Sequence, residues 1–333
     1  MRKRTLLLTL CSLFLLGSFT ASADAKTLTK TWTDPKAASQ EDPDFLIQGE
    51  YGKTKAGAKY GVQVIALGHG TFDAYLLEGG LPGLGWERGK PRQLLKGKRN
   101  GEKIDFTNEE GTITGTISDG QFILVLPEKH PLPRIERKSP TLNAAAPKDA
   151  VVLFDGSSAD QWNNGKVENG FLLATGCTSK QRFADYKLHL EFRTPYMPAA
   201  RGQGRGNSGV YHSGRWETQI LDSFGLEGKD NQAGGIYSIS IPRLNMCLPP
   251  LAWQTYDVDF KAAKFDTSGK QAAWPRITVK LNGVLVHEDL ELAKNLTTSA
   301  PLKGPLKDSK GPVHLQNHNN PVVFRNIWVV PGK

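Results

Sequence analysis

No stretch of this chain sustains a helical apolar period over three turns; its apolar residues instead recur at every second position in short runs. That pattern excludes a doubly wound α/β fold, which needs crossover helices, and predicts an all-β protein. Phe45 to Glu50, Tyr60 to Leu67, Phe72 to Leu77, Ile104 to Phe106, Ile113 to Ile117 and Phe122 to Leu126 read as strands. They are divided by turn signals such as Gly68-His69-Gly70 and Asp119-Gly120. The 35 glycines and 20 prolines among 333 residues fit many tight turns. A Pro/Ala/Lys-rich stretch from Arg137 to Lys148 has no apolar period and reads as a linker. The expected organisation is therefore a small β domain over 40–138, a linker over 139–150 and a longer β domain over 151–331. In the first domain the Gly79–Trp86 loop offers Trp86, whose expected place is packed over its own loop. In the second, Tyr186–Arg193, Tyr256–Lys261 and Ile277–Leu281 alternate cleanly, the last closed by an Asn282-Gly283 hairpin turn. Some ten strands with long connections fit a two-sheet jelly-roll sandwich.

Residues 1–23 read as a secretory signal: Arg2, Lys3 and Arg4, an apolar Leu6–Gly17, then Ala21-Ser22-Ala23 as the cleavage site. The expected location is periplasmic or secreted. The apolar run falls short of the roughly 20 residues of a spanning helix, so no membrane span is expected. Removing three basic residues and no acidic ones takes the net charge from +9 to +6. The lysines are scattered, which argues against nucleic acid as a partner. Cys11 leaves with the signal. Cys177 and Cys247 lack C-x-x-C spacing, which argues against a zinc knuckle, while one disulfide and two buried thiols both remain open; the two are expected to lie near each other.

Gly204-Arg205-Gly206-Asn207-Ser208-Gly209 satisfies G-x-G-x-x-G, but Val210-Tyr211-His212 begins a strand where the dinucleotide fingerprint requires a helix. The informative segment follows. In Arg215–Asp222, period-two geometry places Arg215, Glu217 and Gln219 on one face and Trp216, Thr218 and Ile220 on the other. Val313–His318 repeats the pattern, with Val313 and Leu315 inward and His314, Gln316 and His318 opposite. On one concave sheet face these groups would converge as a site for a polyhydroxylated ligand.

The second domain resembles the 3-keto-disaccharide hydrolase family through an ordered motif series. It comprises Leu153-Phe154-Asp155-Gly156, Asn207–Tyr211, Glu217–Asp222, Gly235-Ile236-Tyr237, Trp253–Tyr256, Asn282-Gly283-Val284, Leu315-Gln316 with His318, and Phe324–Ile327. The resemblance implies a concanavalin-like jelly roll acting on 3-keto-glycosides. A ketone at C3 acidifies the C2 hydrogen, so base-assisted elimination at C1 followed by hydration breaks the bond. Glu217 and His318 are then the candidate base and acid, in either order. Asn207, Arg215, Gln219, Tyr237, Gln316 and Arg325 are the candidates for substrate binding and oxyanion stabilisation. A divalent metal held by Glu217 and His318 is an alternative to side-chain donors. His287 is expected at the surface, and Arg325 is expected to pair with Asp155 or Asp222 if its role is structural. The rival reading is a non-catalytic carbohydrate-binding module; it would need exposed aromatic platforms, whereas Trp162, Trp216, Trp253 and Trp328 sit in strand patterns that suggest burial.

Overall fold

The computed structural model describes residues 30–332, so the 1–23 segment and Cys11 lie outside the described residues. Two short helices, α1 (Pro35–Glu41) and α2 (Pro43–Ile47), open the fold. Phe45 and its neighbours are therefore helical rather than the start of a strand. Asp42 caps α2 by accepting from Asp44 N at 2.9 Å, and Pro43 supplies a helical φ at the first turn. No described helix is long and apolar enough to cross a membrane.

Strands β1 (Gly49–Tyr51), β2 (Tyr60–Gly68), β3 (Thr71–Glu78), β4 (Arg92–Asn100), β5 (Lys103–Thr107), β6 (Thr114–Ser118), β7 (Gln121–Leu126) and β8 (Glu128–Ile135) form a closed antiparallel barrel in chain order. Its inside is a packed core that includes Val62, Val64, Phe72, Leu95, Phe106 and Phe122. Gly97 and Gly115 make room for it: a Cβ at either would lie 2.2 or 2.3 Å from the Phe106 or Phe122 ring. Two strands escape the alternation reading. β4 carries four basic residues in nine, and β8 contains Pro131 and Pro133, residues that sequence patterns count against a strand. Trp86 is buried with Leu77 and Leu81 over its own loop, as expected.

The second unit contains β9 (Val151–Phe154), β10 (Trp162–Asn163), β11 (Val167–Glu168), β12 (Phe171–Leu173), β13 (Cys177–Phe183), β14 (Tyr186–Arg193), β15 (Ser208–His212), β16 (Trp216–Ile220), β17 (Gln254–Lys261), β18 (Lys264–Phe265), β19 (Gln271–Ala273), β20 (Arg276–Leu281), β21 (Val284–Glu291), β22 (Gly311–Leu315) and β23 (Val323–Pro331). A five-stranded sheet runs β10-β13-β22-β15-β16; an eight-stranded sheet runs β11-β12-β23-β14-β17-β20-β21 with β9 beside β23; β18 and β19 form a separate pair. The two large sheets share one core. Val210, Trp216, Val313 and Leu315 from the first meet Leu190, Phe192, Tyr256 and Phe324 from the second, which makes an all-β sandwich. The Asn282-Gly283 turn has positive φ at both residues (52° and 79°), as a tight hairpin requires.

The barrel is docked on loops of the sandwich by buried charge. Arg205 pairs with Asp222 at 2.6 Å and reaches Ala66 O and Gln48 Oε1 of the barrel, both at 3.4 Å. Arg88 donates to Gly228 O and Pro242 O at 2.8 and 2.9 Å. Both residues thus bind the barrel to the stretches that flank β15 and β16.

The segment joining the two units is an ordered strap on the outer face of the larger sheet. Thr141 donates to Asp257 at 2.6 Å, Asn143 N to Glu191 at 2.5 Å, and Asn326 to Ala144 O at 3.0 Å. Beneath it His189 contacts Asp257 at 2.7 Å and stacks on Trp328, while Arg325 pairs with Glu191 at 2.7 Å. A stretch without apolar period can be ordered when the face it crosses is polar. Burial disfavours the His189 cation, but hydrogen bonds to Asp257 and Glu191 outweigh it and raise the pKa. For Glu191, burial is likewise outweighed by His189, Asn326 and Arg325, which draw its pKa down to about 2.

Of the two readings open for the cysteines, buried thiols hold: Cys177 on β13 and Cys247 in the loop before β17 are both free and buried. Burial pushes both thiols up to about 12. Two expectations are corrected. His287 is buried against Gly234 O at 2.8 Å, because β21 packs on the loop that flanks β16. Arg325 pairs with Glu191 rather than with Asp155 or Asp222.

The strap yields a pH prediction. A raised His189 pKa contributes stability that is complete below its ordinary 6.5 and lost as pH rises through the folded value. A depressed Glu191 pKa contributes stability that is present above 4.5 and lost as pH falls towards about 2. Melting temperature measured against pH should therefore show a His189-dependent fall above 6.5. His189→Asn should remove that limb of the wild-type-minus-variant difference; a difference flat with pH would contradict the charged pair.

Candidate active site

β15 lies between β16 and β22, so residues of three neighbouring strands share one polar face. Tyr211 stands opposite Glu217, Gly209 opposite Gln219, and Tyr211 also opposite His314. The opposite face carries Val210, Trp216, Ile220, Val313 and Leu315 into the core. Strand β16 would be an edge, but the 234–240 loop covers it: Tyr237 N donates to Glu217 O at 3.0 Å and Gln219 N to Gly235 O at 2.9 Å.

Gln203, Asn207, Glu217, Gln219, Tyr237, Thr298, Ser299, Gln316 and His318 line a cavity of about 50 Å³. Six of the eight residues singled out in the sequence are thus brought together: Glu217, His318, Asn207, Gln219, Tyr237 and Gln316. The other two are not. Arg215 precedes β16 on a turn whose Ser213 and Gly214 have φ of 52° and 64°, so strand alternation does not govern it. Its guanidinium donates to Gly304 O at 2.9 Å and Pro305 O at 3.2 Å. Arg325 belongs to β23 in the other sheet, against the strap.

Glu217 is the only carboxylate in the cavity, and it is 2% exposed. Its Oε2 lies 2.8 Å from the Tyr211 hydroxyl, whereas Oε1 has no protein partner. Burial raises its pKa to about 8, against the opposing effect of the Tyr211 hydrogen bond. Gly209 creates the slot, since a Cβ there would lie 2.0 Å from Oε1. The Tyr211 hydroxyl also lies 2.8 Å from Thr298 O and accepts from Gln316 Nε2 at 3.1 Å. It has one proton and two oxygens competing for it. A protonated Glu217 resolves the competition by donating to Tyr211, which then donates to Thr298 O. When Glu217 ionises, the Tyr211 proton turns to the carboxylate. Burial and the Glu217 charge both push the Tyr211 pKa up, so the phenol remains the donor.

Three further buried oxygens lack a partner: Asn207 Oδ1, Gln219 Oε1 and Gln316 Oε1. Gln203 sets two of them. Its Oε1 accepts from Asn207 Nδ2 and Gln219 Nε2, each at 3.1 Å, which leaves both amide oxygens free. Four acceptors thus line one small cavity, a demand for a ligand that donates several hydrogen bonds. His318 is exposed on the loop after β22, at the cavity mouth. As a metal pair, Glu217 and His318 would be completed by amide oxygens, for among the described residues no three His, Cys, Asp or Glu side chains come together. A larger cavity of about 450 Å³ between barrel and sandwich includes Leu46, Trp253 and Glu50, but Glu50 is already paired with Arg137 at 2.5 Å. Tyr211, Gly209 and Gln203 escape the sequence reading; Tyr211 and Gly209 share Asn207's parity on β15, which would have revealed them had β15 been placed between β16 and β22.

The family model for the 3-keto-alpha-glucoside-1,2-lyase-like domain matches residues 149–330, more than half of the chain and all of the sandwich core around this cavity. The chain belongs to that family. Among solved structures, a Parabacteroides distasonis protein named a "putative glycosyl hydrolase" is similar at 33% identity and a TM-score of 0.51, over 56% of this chain and 85% of that one. Two more proteins of that organism, named in the same words, align at 17% and 22% identity with TM-scores of 0.43 and 0.40. They cover 57% and 55% of this chain and 99% of each of theirs. No curated protein matches. The 3-keto-alpha-glucoside-1,2-lyase-like domain thus contains every residue that lines the cavity, and the barrel lies outside the matched range.

Gly209→Ala tests the slot. The new Cβ must displace Glu217 Oε1, and overpacking of this kind costs about 1–3 kcal/mol. The variant should remain folded with a modestly lower melting temperature and lose most of its activity. Unchanged turnover would show that the carboxylate position does not matter.

Proposed function

We propose that this protein cleaves 3-keto-glycosides by elimination and hydration, with Glu217 as the base at C2. The reading rests on one observation: a buried carboxyl, its pKa raised to about 8, turns an unpartnered oxygen into a cavity lined by three unpartnered amide oxygens. Sugar hydroxyls are the donors that such acceptors require. Once ionised, a carboxylate of raised pKa is a stronger base, suited to a C2 hydrogen acidified by a neighbouring ketone. The base takes that hydrogen as a proton, its electron pair forms the C1–C2 double bond, and the glycosidic oxygen departs with a proton from His318. Water then adds across that double bond, its hydroxyl to C1 while Glu217 returns its proton to C2, which gives the free 3-keto sugar. The Tyr211 hydroxyl stabilises the ionised Glu217, and Tyr237 lies at the same cavity for the C3 oxygen. A cavity of about 50 Å³ admits the reacting edge of a sugar, so the ring rests across the mouth beside Ser299 and His318.

Two comparisons support this over rival readings. A conventional glycosidase uses paired carboxylates at C1, but the second carboxylate of this segment, Asp222, is occupied by Arg205 at 2.6 Å. A binding module would present aromatic rings. Trp162 and Trp216 are buried here, Trp328 stacks on His189, and Trp253 is held between Phe171 and the guanidiniums of Arg193 and Arg325. A lectin would also have no use for the cost of burying Glu217. Jelly-roll connectivity and export through the 1–23 signal complete the proposal.

The test compares one disaccharide with and without the 3-keto group, following the enone in the ultraviolet and the release of free sugar. Only the oxidised substrate should react, and the rate of C2 hydrogen–deuterium exchange, which reports the base alone, should rise with pH to a plateau above about 8. Glu217→Gln should retain the fold and lose about 10²–10⁴ in rate, the usual share of a general base. Cleavage of both sugars at similar rates would sink the elimination; a C2 exchange rate that falls as pH rises through 8 would show that Glu217 is not the base.

A further inference from the structure

A second cavity, of about 290 Å³, adjoins the first through two segments of chain. It is lined by Arg182, Arg215, Lys303, Lys307 and Lys310, with Asp308 as its one carboxylate. Asp308 is engaged by Arg182 at 3.2 Å. Arg215 is 8% exposed and donates to the carbonyls of Asn295, Gly304 and Pro305, without a carboxylate partner. The three lysines form no ion pair among the described residues. Five cations against one carboxylate leave four positive charges uncompensated in one concavity. Burial and the facing Arg182 charge both press on Arg215 and lower its pKa. Like charges gathered without counter-charge cost free energy that an anion would offset.

The position of this cavity links it to Glu217. Arg215 precedes Glu217 by two residues, on the turn that leads into β16. The loop after β21 also runs from one site to the other: Thr298 and Ser299 line the first cavity, Leu302, Lys303 and Pro305 the second. Arg215 anchors that loop through Gly304 and Pro305, and Arg182 holds Asp308 and Lys310 O, leaving the three lysines as the donors to a ligand.

We propose that this cavity is an anion-binding subsite, and that the glycan acted on at Glu217 carries a sulfate or carboxylate group on the ring that reaches it. The inference rests on the carbohydrate reading of the Glu217 cavity but not on the chemistry assigned to it. Calorimetry on the full chain should use a sulfated disaccharide, a uronate-containing one, their neutral parent and inorganic sulfate, in wild type and in Lys303→Gln/Lys307→Gln. At least one acidic disaccharide should bind about tenfold or more tightly than the parent, equivalent to about 1.4 kcal/mol. High salt and the double variant should each erase that preference. The sulfated and uronate arms then identify the group. Equal affinities in wild type, or a preference that survives in the variant, would overturn the subsite. So would inorganic sulfate binding as tightly as the acidic sugars, which would mark an isolated ion site. Loss of the 3-keto requirement with the preference intact would remove the proposed chemistry and leave the subsite standing.

Discussion

Burying one carboxyl on β16 is the constraint to which the surrounding structure answers. An ionised Glu217 at 2% exposure is costly, and the fold offers it a single hydrogen bond, from Tyr211, whose proton Thr298 O also claims. The carboxyl therefore keeps its proton to about pH 8. Ionisation then has a structural consequence, because turning the Tyr211 proton to Glu217 takes a donor from the loop above the cavity. Protonation state and loop contact are two readings of one hydrogen bond.

The rest of the molecule holds that arrangement in place from two sides. From below, the sandwich core fixes β15 and β16 through Val210, Trp216 and Ile220. From the side, the barrel grips the flanking loops through Arg205 and Arg88, and Arg205 lies two residues from Asn207. A buried ion pair such as Arg205–Asp222 contributes little net stability against its desolvation, yet fixes the geometry of what it joins. The barrel contributes no residue to the Glu217 cavity, but its contacts hold the loop that carries Asn207.

Much of this was legible because strands obey a local rule. Alternation located β2, β3, β5, β7, β14, β17 and β20, and parity alone put Glu217 with Gln219, whereas Gln316 and His318 lie beyond the end of β22 and reach the cavity from a loop. It failed where a non-local or special local term took over. Arg215 sits on a positive-φ turn before its strand begins, and Arg325 is carried off by the pairing of β23 with β14 in the second sheet. Phe45 was lost to the Asp42–Pro43 cap, β4 to its lysines and arginines, and β8 to its prolines. Tyr211 was missed because nothing in the chain's order says that β15 separates β16 from β22. The order of the segment that joins the two units comes from the polar face beneath it, not from its own composition.

The central claim is that Glu217 titrates as a buried acid. Side-chain carboxyl carbon resonances followed through a pH titration, with Glu217→Gln to assign the signal, measure this directly. The account predicts a carboxyl titrating at about 8; titration near the ordinary 4.5 would contradict it.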